Sequence, residues 1–257
     1  MKHIINYLAF CLIITLGISC SKKIDNYAGP TETLKGSIID SNTNKPLQSE
    51  VSGDNGKGTR IKLLETSWSD DPTPLYLATK QDGTFNNSKI FAATYKISAE
   101  GAFVPLVQTQ SDGTVIVDKS QTVTVKGGTT TVNFTVEPFL EVEWVGDPIL
   151  NSDGTITANV KITRGTANPD FQSDITDVNL FINNTEYVGN NNYDNRYAKH
   201  INYNGANGNN ILGDTLSLTT TNGALPKGRD YFVRVGARIN YGLKQYNYNE
   251  PKKVTVP

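Results

Sequence analysis

Apolar and polar residues alternate along most of the chain, and Gly, Asn and Asp interrupt the alternation at short intervals. Leu34-Lys35-Gly36-Ser37-Ile38 alternates, and residues 40–47 (DSNTNKPL) read as a turn. The pattern returns over residues 59–64, with Ile61 and Leu63 on one face, and again at Leu75, Leu77 and Thr79 before the turn at Gln81-Asp82-Gly83-Thr84. Tyr95, Ile97 and Ala99 continue it, then Val115 and Val117, then Val123 and Val125. Gly127-Gly128 turns the chain into Val132, Phe134 and Val136. Side chains of a strand point alternately to opposite faces, so each short segment buries one face. Seven or so such segments predict a β-sandwich over residues 34–137.

Pro138 marks a junction, and the same period resumes after it. Leu140, Val142 and Trp144 alternate, which places Trp144 with the core. Ile156, Ala158, Val160 and Ile162 follow, then Val178, Leu180 and Ile182, then Leu216 and Leu218, then Val233, Val235 and Ala237. A last strand is expected over residues 253–256. Asp82-Gly83, Asp112-Gly113 and Asp153-Gly154 suit hairpin turns, because glycine takes positive φ without strain. No apolar 3.6-residue period of helical length occurs beyond the first twenty residues. The predicted fold class is therefore all-β, with two β-sandwich domains in tandem, 34–137 and 138–257. Residues 188–213 are crowded with Asn and Gly and carry no apolar period, so they read as a long loop that either binds ligand or is mobile.

The first twenty residues differ from everything after them. A basic start, Met1-Lys2-His3, precedes an apolar run over residues 4–18 that is too short for a membrane span of about 20 residues. Leu16-Gly17-Ile18-Ser19-Cys20 resembles a bacterial lipobox, with Ile18 where that pattern prefers a small residue. The resemblance implies a signal peptide over residues 1–19, a lipid on Cys20 and a lipidated tether over residues 20–33. The alternative is an ordinary signal peptide beside an incidental cysteine. Processing would remove Cys11, and acylation would consume Cys20, so disulfides, cysteine metal sites and a cysteine nucleophile are all excluded. His3 leaves with the signal, and His200 alone cannot build a zinc site. Its neighbours Asn202, Asn204 and Asn207 suggest a solvated loop histidine. A net charge of -1 and the lack of basic runs argue against nucleic acid as a partner.

Candidate chemistry is sparse. Asp40-x-Asn42-x-Asn44 resembles the start of a calcium loop, but Lys45 and Val51 stand where that loop needs Gly and Glu, so a turn is expected. Glycoside hydrolysis needs two carboxyl groups about 5 to 10 Å apart across a cleft. Asp70-Asp71 and Glu141/Glu143 are merely adjacent or on one strand face. No catalytic residue, metal site or cofactor is expected. Aromatic residues in polar surroundings are more suggestive: Trp68, Tyr76, Tyr187, Tyr193, Tyr197 and Tyr203, with Tyr241, Tyr246 and Tyr248 near the last strand. An exposed ring meets the C–H face of a sugar while amides and carboxylates take its hydroxyls. The competing reading packs each of these rings against its own strand.

Three resemblances extend this reading. LKGSIIDSNTNKPLQ, the later DGTF and Ala93-Thr94-Tyr95-Lys96-Ile97 resemble carboxypeptidase-regulatory, prealbumin-like sandwiches, generally non-catalytic modules; Ala93 stands where that family has glycine. Leu225-Pro226-Lys227-Gly228-Arg229-Asp230-Tyr231 before Val233 and Val235 resembles the fibronectin type III corner, which implies that Tyr231 is a buried tyrosine bonded to nearby backbone. Tyr27, TETLKG (31–36), ETSWSD (65–70) and KIFA (89–92) are similar to an uncharacterised two-domain lipoprotein family of Bacteroidota from outer-membrane glycan-uptake systems. That resemblance implies an outer-membrane, surface-exposed location, a SusC/SusD-type neighbourhood and, as partners, a polysaccharide or a TonB-dependent transporter complex. The expected function is a non-catalytic accessory lipoprotein in glycan binding. A scaffold lipoprotein binding only protein is the alternative, and a hydrolase the remote one.

Overall fold

Leu34 and Ile38 are buried while the residues between them are more open, as the alternation requires, and the strand that carries them organises the first sandwich. The computed structural model describes residues 29–52 and 56–257. The expected signal segment, Cys20 and the tether up to residue 28 lie outside the described residues. Strand order in the N-terminal domain is β1 (Glu32–Asp40), β2 (Arg60–Glu65), β3 (Leu75–Ala78), β4 (Thr84–Ile90), β5 (Ala93–Glu100), β6 (Val107–Thr109), β7 (Val115–Asp118), β8 (Gln121–Val125), β9 (Thr129–Thr131) and β10 (Phe134–Val136). One sheet centres on β1, antiparallel to β4 and parallel to β9 and β10; the facing sheet runs β3-β2-β5-β8. Strands β6 and β7 form a separate two-stranded ribbon. Strand β1 begins inside the segment expected as a tether: Glu32 pairs with Ile90, and the Thr33 N–H donates to the Gly128 carbonyl at 2.8 Å.

Gly36 in the KG motif has a steric cause. It pairs with Phe85, and a Cβ there would lie 1.7 Å from the Val132 carbonyl oxygen, so only glycine lets the neighbouring segment approach. Ile61, Leu63, Phe85, Ile97, Phe134 and Val136 fill the space between the sheets. Each fully buried side chain of this size contributes about 1.5–3 kcal/mol of transfer free energy.

The C-terminal domain comprises β11 (Leu140–Trp144), β12 (Ile149–Leu150), β13 (Ile156–Arg164), β14 (Ile175–Asn183), β15 (Lys199–Asn202), β16 (Thr215–Thr219), β17 (Arg229–Ile239), β18 (Asn247–Tyr248) and β19 (Lys252–Val256). Strand β13 pairs with β11, β12 and β16, while β14 and β17 form the centre of the opposite sheet, flanked by β15, β18 and β19. The inward residues are those the alternation selects: Ile156, Ala158, Val160 and Ile162 meet Val178, Leu180, Val233 and Val235. Tyr231 is buried and its hydroxyl donates to the Pro226 carbonyl at 3.2 Å, the tyrosine corner implied by the fibronectin-like motif. Trp144 is only partly buried, packed at the edge of this core.

Two expectations change. Residues 188–213 are not one long loop: they contain β15, which pairs with β14, and a 3-10 helix, Gly205–Ile211. Isolated alternation over four residues was too short to signal a strand whose partner is distant in sequence. His200 accordingly lies on a strand opposite Asn179, with its ring edge-on to Tyr193 at 5.5 Å and Phe181 at 6.1 Å.

Strands β14 and β17 are buried on both faces, because a second polar and aromatic layer covers the face turned away from the core. Register places Phe181 opposite Arg234, Asn179 opposite Gly236 and Asp177 opposite Arg238 on that face. Gly236 leaves room for the Tyr248 ring, which a Cβ would meet at 2.7 Å.

Candidate functional site along the domain seam

Residues 31–257 form one compact unit, so the two sandwiches share a built seam. Ala102 and Val104 of the N-terminal domain belong to the C-terminal core, and Phe103 bridges to Pro138. Asn247 Nδ2 donates to the Ala102 carbonyl at 2.8 Å while its Oδ1 accepts from the Leu140 N–H at 3.1 Å. Farther along, Gln81 Oε1 accepts from the Val188 N–H at 3.0 Å and its Nε2 donates to the Glu186 carbonyl at 3.0 Å.

Between these contacts lies a buried polar cluster. Arg234 is 0% exposed. Its guanidinium donates to the carbonyls of Asn249 at 2.8 Å and Val188 at 3.2 Å and to Gln48 Oε1 at 3.3 Å, and stacks 4.2 Å from the Tyr248 ring centre. The Tyr248 hydroxyl donates to Oε2 of Glu50, which is 1% exposed, at 2.6 Å. Burial pulls the Arg234 pKa down to about 10, still far above neutrality, and pushes the Tyr248 phenol well up. The cluster is thus a charged arginine held near a buried carboxylate, with one member of the pair from each domain. Beside it, the Tyr246 hydroxyl donates to Asp177 Oδ2, and Arg238 Nε donates to Asp177 Oδ1 at 2.6 Å.

Two clefts open on the seam next to this cluster, about 240 and 460 Å³ in volume, and they adjoin at Gln48 and Glu250, which line both; we term the pair the seam groove. The smaller is walled by Lys45 of the turn after β1, by Glu141, Glu143 and Trp144 of β11, and by Asn249. The Trp144 indole N–H donates to the Glu250 carbonyl at 2.8 Å, which fixes the ring beside the cleft, and Lys252 Nζ lies 5.3 Å from the ring centre. The larger is walled by Lys80, Asp82, Glu186, Tyr187 and Pro251. Asn42, in the turn closed by Asp40, donates from Nδ2 to Glu141 Oε1 at 2.8 Å and to the Gly165 carbonyl at 2.7 Å, clamping the turn to the second domain. Burial, aided by the nearby Asp40 carboxylate, raises the Glu141 pKa to about 7. Asn249 is buried at the groove wall; its Oδ1 accepts from the Val235 N–H at 2.8 Å, but its Nδ2 has no hydrogen-bond partner. A third cleft, of about 440 Å³, lies elsewhere on the seam between Lys62, Lys96, Phe103, Tyr241, Leu243 and Gln245.

Two family models cover most of the chain: the N-terminal domain of a protein of unknown function (DUF3823) matches residues 32–137, and a DUF3823 C-terminal domain of unknown function matches residues 147–253. The chain belongs to the DUF3823 family. A DUF3823 protein from Bacteroides uniformis shares 36% identity at a TM-score of 0.80, covering 89% of this chain and 100% of that one. A second Bacteroides uniformis structure, named "putative carbohydrate binding protein", shares the fold at 22% identity and TM-score 0.65, with coverage of 89% and 100%. A DUF3823 protein from Parabacteroides merdae shares it at 20% identity and TM-score 0.63, again covering 89% and 100%. Among curated proteins, none matches the chain.

This DUF3823 chain scatters the six aromatic residues singled out in the sequence. Tyr187, 55% exposed, lines the groove. Trp68, 63% exposed, sits in the segment after β2, and Tyr76 on β3 lies under the Arg60 guanidinium at 3.9 Å. Tyr193 packs edge-on against Phe181 at 5.2 Å, and Tyr197 and Tyr203 pack on the C-terminal core. Tyr246 and Tyr248 are buried in the second layer. Trp144 was missed as a groove residue because its parity with Leu140 and Val142 assigned it to the core. The available signal was its place as the last residue of β11, just before Gly146 at φ 77. Among the described residues, no group of three or more His, Cys, Asp or Glu side chains is placed to hold a metal, and no helix is long and apolar enough to cross a membrane.

Proposed function

We propose that this protein is a non-catalytic, lipid-anchored accessory protein of the outer membrane that retains glycan at the cell surface. The observation that carries this reading is the seam groove, with an aromatic ring in each of its two clefts, Trp144 and Tyr187, and carboxylates and amides between them. Rings supply flat apolar faces for sugar C–H groups, and the flanking oxygens and amides pair with hydroxyls. The same pairing of features is what a glycan-binding neighbour of this fold would need, which agrees with the description of the second Bacteroides uniformis structure. Anchoring at Cys20 would hold many copies on one surface, so weak single-site contacts would add up through multivalency.

Affinity electrophoresis across a polysaccharide panel tests the reading: at least one glycan should retard the protein, and Tyr187→Ala should reduce the retardation. Release of reducing sugar that disappears in Glu141→Gln would instead establish a hydrolase. Labelling with a palmitate analogue, lost in Cys20→Ala, tests the anchor.

One observation favours a protein-binding scaffold as the second reading. The β6–β7 ribbon exposes three large apolar side chains, Val107, Val115 and Ile116, and exposed apolar surface of this kind marks protein contacts. No retardation by any glycan, together with co-purification of a transporter, would decide for the scaffold.

A further inference from the structure

We infer that the seam groove takes an uncharged, hydroxyl-rich glycan and rejects polysaccharides bearing uronate or sulfate groups. The inference rests on the glycan reading and deepens it by naming the ligand class. Its first support is the sign of the charges that line the groove. Asp40, Glu143 and Glu250, with Glu141 only partly ionised at neutral pH, surround the smaller cleft against Lys45, and Asp82, Glu186 and Glu250 surround the larger against Lys80. Lys252, the cation beside Trp144, is already bonded to Asp147 at 2.6 Å. This excess of negative over positive charge lowers the local concentration of anionic ligands.

The second support is the hydrogen-bond inventory. Ionised carboxylates only accept, so Glu143 and Glu250 call for a ligand that brings donors, and the free hydroxyls of a sugar are such donors. Glu143 and Glu250 are exposed and, among the described residues, their carboxylates form no ion pair, which leaves those oxygens in reach of such donors.

The test is affinity electrophoresis of the mature protein in gels containing matched neutral polysaccharides (a glucan, a mannan, a xylan), an acidic one (polygalacturonate), a sulfated one (dextran sulfate) and a cationic one (chitosan), at low and moderate salt. Neutral polymers should retard the protein and the acidic and sulfated ones should not. The variant Glu143→Gln/Glu250→Gln, whose changes are both at exposed positions, should keep its melting temperature and bind polygalacturonate at least about threefold more tightly than the wild type at low salt, an effect that shrinks as salt rises. Retardation by the acidic or sulfated polymers equal to that by neutral ones overturns the inference and leaves the glycan reading standing. Retardation by chitosan alone overturns it in favour of a cationic ligand. Retardation by none of the polymers fells the glycan reading, and this inference with it.

Discussion

The seam holds two neighbouring regions built from the same kinds of residue, and they differ in what surrounds them. In the buried cluster, Arg234, Glu50 and Tyr248 point at each other and at backbone carbonyls, and water is excluded. In the groove a few residues away, Glu143, Glu250, Tyr187 and the edge of Trp144 face solvent. The first arrangement spends its hydrogen-bonding capacity internally and fixes how the two sandwiches meet. The second keeps donors and acceptors unspent, which is what a binding surface requires. Residue type alone does not separate a lock from a site; satisfaction and exposure do.

The largest expected effect breaks the lock. Arg234→Met removes the three hydrogen bonds of a buried guanidinium and the cation that lies near Glu50 without touching it, leaving that carboxylate uncompensated, so it should destabilise the protein by about 3–5 kcal/mol in chemical denaturation. Adding Glu50→Gln removes the stranded charge and should recover part of that loss. If Arg234→Met costs less than about 1 kcal/mol, the cluster does not hold the seam. Next comes Tyr248→Phe, which leaves a buried Glu50 oxygen without its donor and should cost about 1–3 kcal/mol.

Glu141 lies between the two regions, clamped by Asn42 yet lining the groove. Its pKa is raised in the folded chain to about 7 from an ordinary 4.5, so the folded state binds more protons between those values. Stability should therefore fall as pH rises from about 4.5 to about 7: the favourable contribution is complete below that window and lost above it. Discounted for solvent screening, the effect is about 1 kcal/mol. Denaturation midpoints of the wild type and Glu141→Gln across this pH range should show the slope flattened in the variant. The smallest stability effect belongs to Tyr187→Ala, within about 0.5 kcal/mol because the ring is exposed. The same change should weaken glycan binding about fivefold, or about 1 kcal/mol, by titration calorimetry. A variant that lost stability but not affinity would place Tyr187 with the lock.

Much of the architecture was legible because it depends on local regularity. Ile61 and Leu63, or Val233 and Val235, announce their inward face by a period of two, and Leu225 to Tyr231 announces a corner by spacing. The groove was far less legible. Of the six aromatic residues selected from polar context, Tyr187 alone lines one of the three seam clefts, while Tyr193, Tyr197 and Tyr203 pack on neighbouring elements. Trp144 was assigned inward by parity and does pack at the edge of the core, but as the last residue of its strand it also lines the smaller cleft. Arg234 alternates with Val233 and Val235 and so reads as a solvent-facing arginine; it is buried because Tyr248 and the N-terminal domain cover that face of the sheet.

From the amino-acid order alone came the all-β class, the strand faces, the turn chemistry at Asp40 and Asp82, and the near absence of thiol and imidazole chemistry. These are set by the backbone's period of two and by the side-chain inventory, which no packing can alter. Only the tertiary structure decided which polar residues became a lock and which remained a groove. That choice depends on contacts such as Glu50 to Tyr248, 198 positions apart, and on which sheet faces the second domain happens to cover. Burial of a polar side chain is a property of its distant neighbours, and those neighbours leave no periodic trace beside it.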